Sequence, residues 1–344
     1  MKLKYFKGSF LFTIVGVVAG AAVGYYYGNG WAGALSAAVL TMILAVLEVS
    51  LSFDNAVVNA AVLKRMTPEW RHRFITWGIL IAVFGMRIVF PLAIVSILAE
   101  ISPWEALVMA ATRPDEYAET MLRSHLALAG FGGAFLLMVA LKYFLDANKD
   151  VHWVKEIEKP LVNLGKIESS QIAVALVILY VLSHRLPHAE AYQFLVSGIL
   201  GVVTFVLVDG ISSLLEAQEE SATNAAKASM GLFMYLEILD ASFSFDGVIG
   251  AFALTHNIFI IAIGLGIGAM FVRSLTILFV EEGTLTQFRY LEHGAFYAIA
   301  ALATMMLLDT VVHIPEVATG LIGAAFIIVA FVSSVRYNRA QLKR

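Results

Sequence analysis

The chain has 344 residues, of which 60% are hydrophobic and only 14% are charged, and its formal net charge is −3. Soluble domains carry about 25% charged residues, so the composition indicates a polytopic membrane protein, and the few dispersed charges give no basis for binding nucleic acid. The chain has no cysteine, which excludes disulfides, thiolate zinc sites, Fe–S clusters and cysteine nucleophiles.

Apolar runs that are long enough, or nearly long enough, to cross a bilayer core of about 30 Å recur along the whole chain. They predict an all-α membrane protein with about ten transmembrane helices, at about 8–28, 31–62, 73–99, 125–145, 171–186, 192–215, 229–254, 257–280, 293–313 and 316–335. Residues 1–30 hold the first helix, which is either uncleaved, as we favour, or a signal peptide. Its Gly16, Gly20 and Gly24 form a stripe suited to close helix packing.

The positions of the lysines and arginines predict the topology. With the N-terminus in the cytoplasm, 18 of the 23 basic residues fall on the cytoplasmic side, Arg113, Arg123 and Arg185 fall outside, and Arg87 and Arg273 lie within helices. Ten helices then place both termini in the cytoplasm of a multi-pass cell-membrane protein. Two longer connections, at 100–124 outside and 146–170 inside, are interpreted as surface segments.

A phrase of the form acid-x-Ser-x-Ser-Phe-Asp occurs twice, at residues 48–54 and at residues 240–246. Each copy lies in a long apolar run, where a charged carboxylate costs about 2.5–3.5 kcal/mol on insertion scales. The cost recurs at matched places, so the phrase indicates a duplicated protein whose acids act on charge within the membrane.

The helix after each copy extends the match, because a glycine precedes an arginine by the same interval, Gly78 to Arg87 and Gly264 to Arg273. We predict a first repeat at 31–186, a second repeat at 192–336 and a cytoplasmic tail at 337–344. The motif helices are the second and the seventh, so the predicted topology makes the repeats antiparallel. Transporters built from inverted repeats bind their substrate near the midplane, at the repeat interface.

Acids outnumber bases within the predicted helices. The intramembrane acids are Glu48, Asp54, Asp209, Glu237, Asp240, Asp246 and Asp309, and the bases are Arg87 and Arg273. Some acids must therefore be protonated or share a bound cation, which favours cation transport or proton coupling. We expect both arginines to pair with motif acids across helices and to hold the empty site together.

One continuous helix would not aim both acids of a copy at one ion, since Glu48 and Asp54 would lie about 120° apart around its axis. A local break near each Ser-Phe-Asp, helped in the second copy by Gly247, would let the carboxylates converge. The available carboxylate, hydroxyl and amide oxygens are hard ligands that suit Mg²⁺, Ca²⁺ or Mn²⁺.

The residues at 47–55 and 244–246 make the chain similar to the TerC-like integral membrane proteins, as an uncharacterised branch. The resemblance runs from about residue 31, and it implies that Glu48, Asp54, Asn55 and Asp246 bind an ion. Members of that family have been linked to manganese efflux and tellurite resistance. The chain departs from the family in having Gly247-Val248 where serine and a nearby proline are usual, and in its additional first helix.

The predicted metal ligands are Glu48, Asp54, Asn55, Asp240 and Asp246. The residues predicted to support them or to line the pathway are Ser50, Ser52, Ser242, Ser244, Arg87, Arg273, Asp209, Glu237 and Asp309. The serines fit ordinary packing equally well.

The leading hypothesis is a transporter, not an enzyme, that exports a divalent cation, Mn²⁺ first, in exchange for protons and with no tightly bound cofactor. A membrane scaffold for stress response or secretion is the alternative. An intramembrane aspartyl protease using Asp54 and Asp246 is less favoured, because Ser-Phe precedes each aspartate in place of the usual Gly-x-Gly.

Overall fold

The computed structural model describes residues 2–28, 30–147, 149–216, 222–312 and 314–341, and it has no strand within those ranges. The predicted all-α class is confirmed. After a 3₁₀ turn at Lys2–Phe6, the helices are α1 (Lys7–Tyr27), α2 (Trp31–Leu51), α3 (Phe53–Leu63), α4 (Pro68–Leu80), a π-helical segment (Ile81–Val89), α5 (Phe90–Leu98), α6 (Pro103–Thr112), α7 (Pro114–Arg123), α8 (His125–Leu145), α9 (Lys155–Gly165), α10 (Ser170–Ser183), α11 (His188–Glu216), α12 (Ala222–Phe252), α13 (Ile258–Glu281), α14 (Thr284–Gln287), α15 (Leu291–Asp309) and α16 (Glu316–Gln341).

Among the described residues, eight helical stretches are long and apolar enough to cross a membrane. They are Leu3–Tyr27, Trp31–Leu51, Pro68–Leu98, His125–Leu145, His188–Leu215, Ile258–Glu281, Leu291–Asp309 and Leu321–Gln341. A ninth arises if α9 and α10, which meet at a bend of 107°, form one broken span. Helix α12, at the position of the predicted span 229–254, has 31 residues but carries Lys227, Glu237, Asp240 and Asp246, and it is not among the eight. The described residues therefore hold eight or nine candidate spans, fewer than the ten that were predicted.

The described residues divide into two compact units that do not follow the two halves of the chain. Unit 1 comprises Met1–His125 and Leu232–Glu282, and unit 2 comprises Leu126–Gly231 and Gly283–Arg344. Unit 1 therefore contains both copies of the repeated phrase.

Close packing of α1, α2 and α13 builds the core of unit 1. The predicted glycine stripe of α1 is buried, with Gly20 against Thr41 and Gly24 against Ala37 of α2. Helix α13 also packs glycines against α2. A Cβ at Gly264 would lie 2.6 Å from Leu44 Cβ, and one at Gly268 would collide with the Glu48 side chain. Because small residues let helix backbones approach closely, these glycines fix the position of α2.

Replacing Gly24 by leucine is expected to destabilise unit 1 by about 1–3 kcal/mol, the usual cost of forcing extra atoms into a packed interface. The new side chain would meet Ala37 Cβ and the Gly33 carbonyl oxygen. Gly8→Leu is the matched control, since a Cβ at Gly8 has open space around it. Thermal unfolding of the detergent-solubilised variants measures the difference, and equal shifts would contradict the packing role.

Helices α6 and α7 form the connection predicted at 100–124. Helix α6 begins with a capping box, in which Ser102 Oγ accepts the Glu105 N–H and Glu105 accepts the Ser102 N–H. These hydrogen bonds hold the pKa of Glu105 below its usual range. Tyr117 on α7 is fully buried, so the connection is a packed part of unit 1 rather than only a surface segment.

The connection at 146–170 belongs to unit 2 and is also packed, against α15. Glu158 on α9 has no exposed surface, and its carboxylate lies 2.7 Å from Lys149 Nζ. The same carboxylate accepts the N–H groups of Trp153 and Val154 and the hydroxyl of Tyr297. The segment at 146–170 therefore contains a buried ion pair, so its interpretation as a surface segment is wrong at Lys149 and Glu158.

Candidate cation site

The first copy of the repeated phrase contains the predicted break. Helix α2 ends at Leu51 and α3 begins at Phe53, with Ser52 between them at φ −103° and ψ 16°. In the second copy the break predicted at Gly247 is wrong, because α12 continues from Ala222 to Phe252. A glycine costs a helix interior only about 1 kcal/mol, which is less than the cost of freeing backbone groups in hydrocarbon.

Arg87 lies in a π-helical segment, which was not predicted from the sequence. The segment spans Ile81–Val89, and Pro91 follows it at the start of α5. Proline has no N–H, so the carbonyl of Arg87 loses its usual helical donor at this point. Such segments are often found at functional sites. The proline inside the third apolar run was the signal in the sequence.

Glu48 and Arg87 form a buried ion pair within unit 1, and each side chain is 4% exposed. The Arg87 guanidinium donates to Glu48 Oε1 and to the carbonyl oxygen of Ala82. Ser52 Oγ donates to the same carboxylate oxygen at 3.1 Å. The predicted pairing of Arg87 with a motif acid across helices is confirmed.

The two copies of the phrase face one another inside unit 1. Asn59 on α3 donates from Nδ2 to Asp240 Oδ1 at 2.9 Å, which joins α3 to α12. The other oxygen of Glu48 lies beside Gly247, where a Cβ would be 3.2 Å away. Asn59 was not among the predicted site residues, although it follows Asn55 by one helical turn and therefore shares its face.

A cavity of about 50 Å³ opens between these helices, with Glu48, Asn55, Asn59 and Asp240 in its wall. Asn55 is 6% exposed and Asn59 is 4% exposed. The Oδ1 atoms of both asparagines are buried without a hydrogen-bond partner. One water needs roughly 10–15 Å³ of such volume, so the cavity has room for an ion with a few waters. The two asparagines with unsatisfied carbonyl oxygens and the two acids in the same lining supply oxygen ligands of the kind that hard cations prefer.

The sequence profile of the family described as "Protein of unknown function (DUF475)" matches residues 53–341, which is most of the chain. The chain belongs to this DUF475 family. No curated protein and no solved structure matches it. The match begins at Phe53, so it includes Asn55, Asn59 and Asp240 of the cavity wall, while Glu48 precedes it.

Several predicted residues of this DUF475 chain lie in unit 1 but do not line the cavity. Asp54 is 4% exposed, and its carboxylate accepts only the N–H of Asn55 among the described contacts. Glu237 lies one turn before Asp240, beside Gly78. Ser50 and Ser242 donate to carbonyl groups of their own helices.

Of the remaining serines and bases, Ser52 and Ser244 line the cavity together with Arg273. Arg273 donates to the carbonyl oxygen of Phe74, and among the described ion pairs it has no motif acid as a partner. It interacts electrostatically with Asp240 and Glu237. The direct pairing expected for Arg273 with a motif acid is therefore not found among the described ion pairs and hydrogen bonds.

The structure places Asp209 and Asp309 in unit 2 and gives each a partner there. Asp209 pairs with Lys142, and Asp309 accepts the N–H of Ile314 at 2.6 Å. The side chain of Asp246 lies outside the described residues, so its predicted role stays a prediction. Among the side chains that are described, no group of three or more histidines or acids is placed to hold a metal ion.

Substituting Asn59 by alanine is expected to destabilise this DUF475 protein by about 1–3 kcal/mol, the cost of leaving a buried acceptor unpaired. The acceptor is Asp240 Oδ1. Ser50→Ala is the control, since Ser50 Oγ makes an exposed bond within its own helix. Chemical or thermal unfolding in detergent gives the comparison, and an Asn59 variant as stable as the control would argue against the bond.

Proposed function

We propose that this protein is a membrane transporter that moves a divalent cation, with Mn²⁺ as the first candidate, through the cavity of unit 1. One observation carries the proposal: the buried Oδ1 atoms of Asn55 and Asn59 have no partner, and both residues line the cavity together with Glu48 and Asp240. Carboxylate and amide oxygens suit hard cations such as Mn²⁺, Mg²⁺ and Ca²⁺.

The proposed ligands are Glu48, Asp240, Asn55 and Asn59. Because only two described carboxylates line the cavity, waters complete the coordination, as is usual for small divalent cations held by one or two carboxylates. Ser52 orients Glu48, since its hydroxyl donates to the carboxylate, whereas Ser244 donates to the backbone carbonyl of Asp240. The resemblance of residues 47–55 to the TerC-like proteins supports manganese as the first ion to test.

Coupling to protons forms the second part of the proposal, and Asp54 is the candidate carrier. It is buried next to the cavity-lining Asn55 and has no cationic partner among the described contacts. Acids in such places within membranes commonly belong to proton relays. Export of the cation from the cytoplasm in exchange for protons is the direction we propose, in the cell membrane with both termini in the cytoplasm.

The experiment is flux into proteoliposomes that contain the purified full-length protein, measured for Mn²⁺, Ca²⁺ and Mg²⁺ with and without a pH gradient. We expect saturable Mn²⁺ flux that the pH gradient accelerates. Empty liposomes are the control for leakage. Flux no greater than that of empty liposomes for all three cations would refute the transport proposal and favour a scaffold.

A further inference from the structure

The ionisable side chains described in the cavity wall balance one another. Glu48 and Asp240 supply two negative charges, and Arg87 and Arg273 supply two positive charges. The four charges form one electrostatically connected group, because Asp240 interacts with both arginines and with Glu48. A divalent cation added to a cavity whose charges already balance would gain no net attraction to offset the hydration that it loses. Cation binding therefore needs positive charge to leave the cavity.

If Arg87 moved away, the Glu48 carboxylate oxygen that it now occupies would become available to a cation. The Arg87 guanidinium is bonded to Glu48 Oε1, the carboxylate oxygen that also accepts Ser52. Arg273 is held by the Phe74 carbonyl instead and covers no carboxylate oxygen among the described contacts. Among the described bases, only Arg87 occupies a carboxylate oxygen of Glu48 that a bound cation could use.

We infer that Arg87 is a tethered cation that fills the substrate position in the empty site, and that an incoming divalent cation displaces it from Glu48. This inference rests on the proposed transport function and adds how the empty site is kept neutral. A buried carboxylate without a counter-charge is strongly destabilising, so a tethered base lets the transporter return empty with its charges satisfied. Substrate and arginine then compete for the same oxygen.

The π-helical segment gives the arginine a means of leaving. Arg87 is held at its other side by the carbonyl of Ala82, inside the same segment. A π turn contains one residue more than an α turn, so relaxing it to α geometry would rotate Arg87 by about 100° around the helix axis. That rotation would carry the guanidinium away from Glu48 without moving α2.

Mn²⁺ binding to the full-length protein in detergent, read from the loss of the free Mn²⁺ EPR signal, tests the competition. We expect Arg87→Ala to bind Mn²⁺ about tenfold or more tightly than the wild type, within the range typical of coupled sites. Arg273→Ala is the matched control and should change the affinity much less. Arg87→Lys, which keeps the charge, should bind no more tightly than the wild type.

Added guanidinium chloride at millimolar concentration should restore weak binding in Arg87→Ala, because the free ion can take the vacated place. If Arg87→Ala fails to fold, Arg87→Gln takes its place and Glu48→Gln/Arg87→Gln is its control. Only Arg87→Gln should then bind Mn²⁺ tightly, because the double variant lacks the Glu48 carboxylate. Equal or weaker binding in Arg87→Ala and Arg87→Gln, in a protein that still transports Mn²⁺, would overturn the inference alone. Equal gains from Arg87→Ala and Arg273→Ala would also overturn it. Neither binding nor flux in the wild type would refute the transport proposal itself.

Discussion

Asp240→Asn is expected to lower Mn²⁺ flux by about 10–100-fold or more. That range is the usual effect of losing a residue that only supports a metal ligand, and Asp240 is proposed as a ligand itself. The substitution removes one of the two carboxylates described in the cavity wall. It keeps an oxygen that can accept the Asn59 amide, so the contact between α3 and α12 survives. Initial rates of Mn²⁺ flux in proteoliposomes at saturating and limiting Mn²⁺ measure the loss.

Asp209→Asn is the matched control for this experiment. Asp209 is also an aspartate in a long apolar helix, but it belongs to unit 2, where it pairs with Lys142. Its flux should stay near that of the wild type. Comparable losses in both variants would show that the effect comes from removing any membrane acid, and undiminished flux in Asp240→Asn would contradict the assigned cavity.

Glu158→Gln should produce the largest loss of stability, about 3–5 kcal/mol, because it leaves a buried charge without its partner. That partner is Lys149, which is 8% exposed and lies over the ring of Tyr143. Glu158→Gln/Lys149→Met removes both charges and should recover most of the loss. The free energy of unfolding in detergent, followed by tryptophan fluorescence, measures all three proteins.

The stability defect of Glu158→Gln should also depend on pH. Burial lowers the pKa of the Lys149 ammonium below its usual value of 10.5, and the Glu158 carboxylate opposes that shift. Without the carboxylate the folded-state pKa falls further, so the unfolded state binds more protons between the two values, and stability rises with pH there. The defect should therefore be full below the lowered folded-state pKa of Lys149 and shrink as the pH rises toward 10.5. A defect that is independent of pH would show that Lys149 is not the affected group.

Features that follow from local chemistry could be predicted from the sequence. The apolar runs predicted the helices because length and composition decide membrane insertion. The spacing of Gly16, Gly20 and Gly24 predicted a packing stripe, and the excess of buried acids predicted a cross-helix partner for Arg87. Each of these depends on residues a few positions apart or on a charge that must be satisfied.

Features that depend on packing between distant segments could not be predicted in the same way. The bond from Asn59 to Asp240 joins residues 181 positions apart, and no periodicity signals it. The continuity of α12 through Gly247 reflects the cost of exposing backbone groups in lipid, which exceeds the weak preference of glycine to break a helix. The buried ion pair of Lys149 and Glu158 lies in a stretch whose many charged residues are typical of a solvent-exposed segment.

The two glycines of α13 against α2 fix how deep Glu48 lies along its helix. Gly264 faces Leu44 and Gly268 faces Glu48, so the same interval of four residues recurs on both helices. If α2 slipped by one turn, Leu44 would take the place of Glu48 and the carboxylate would move about 5.4 Å along the axis. The depth of the charge is thus set by closely packed helix backbones, and a single methyl group added at Gly268 would collide with Glu48 Cβ and force that side chain to move.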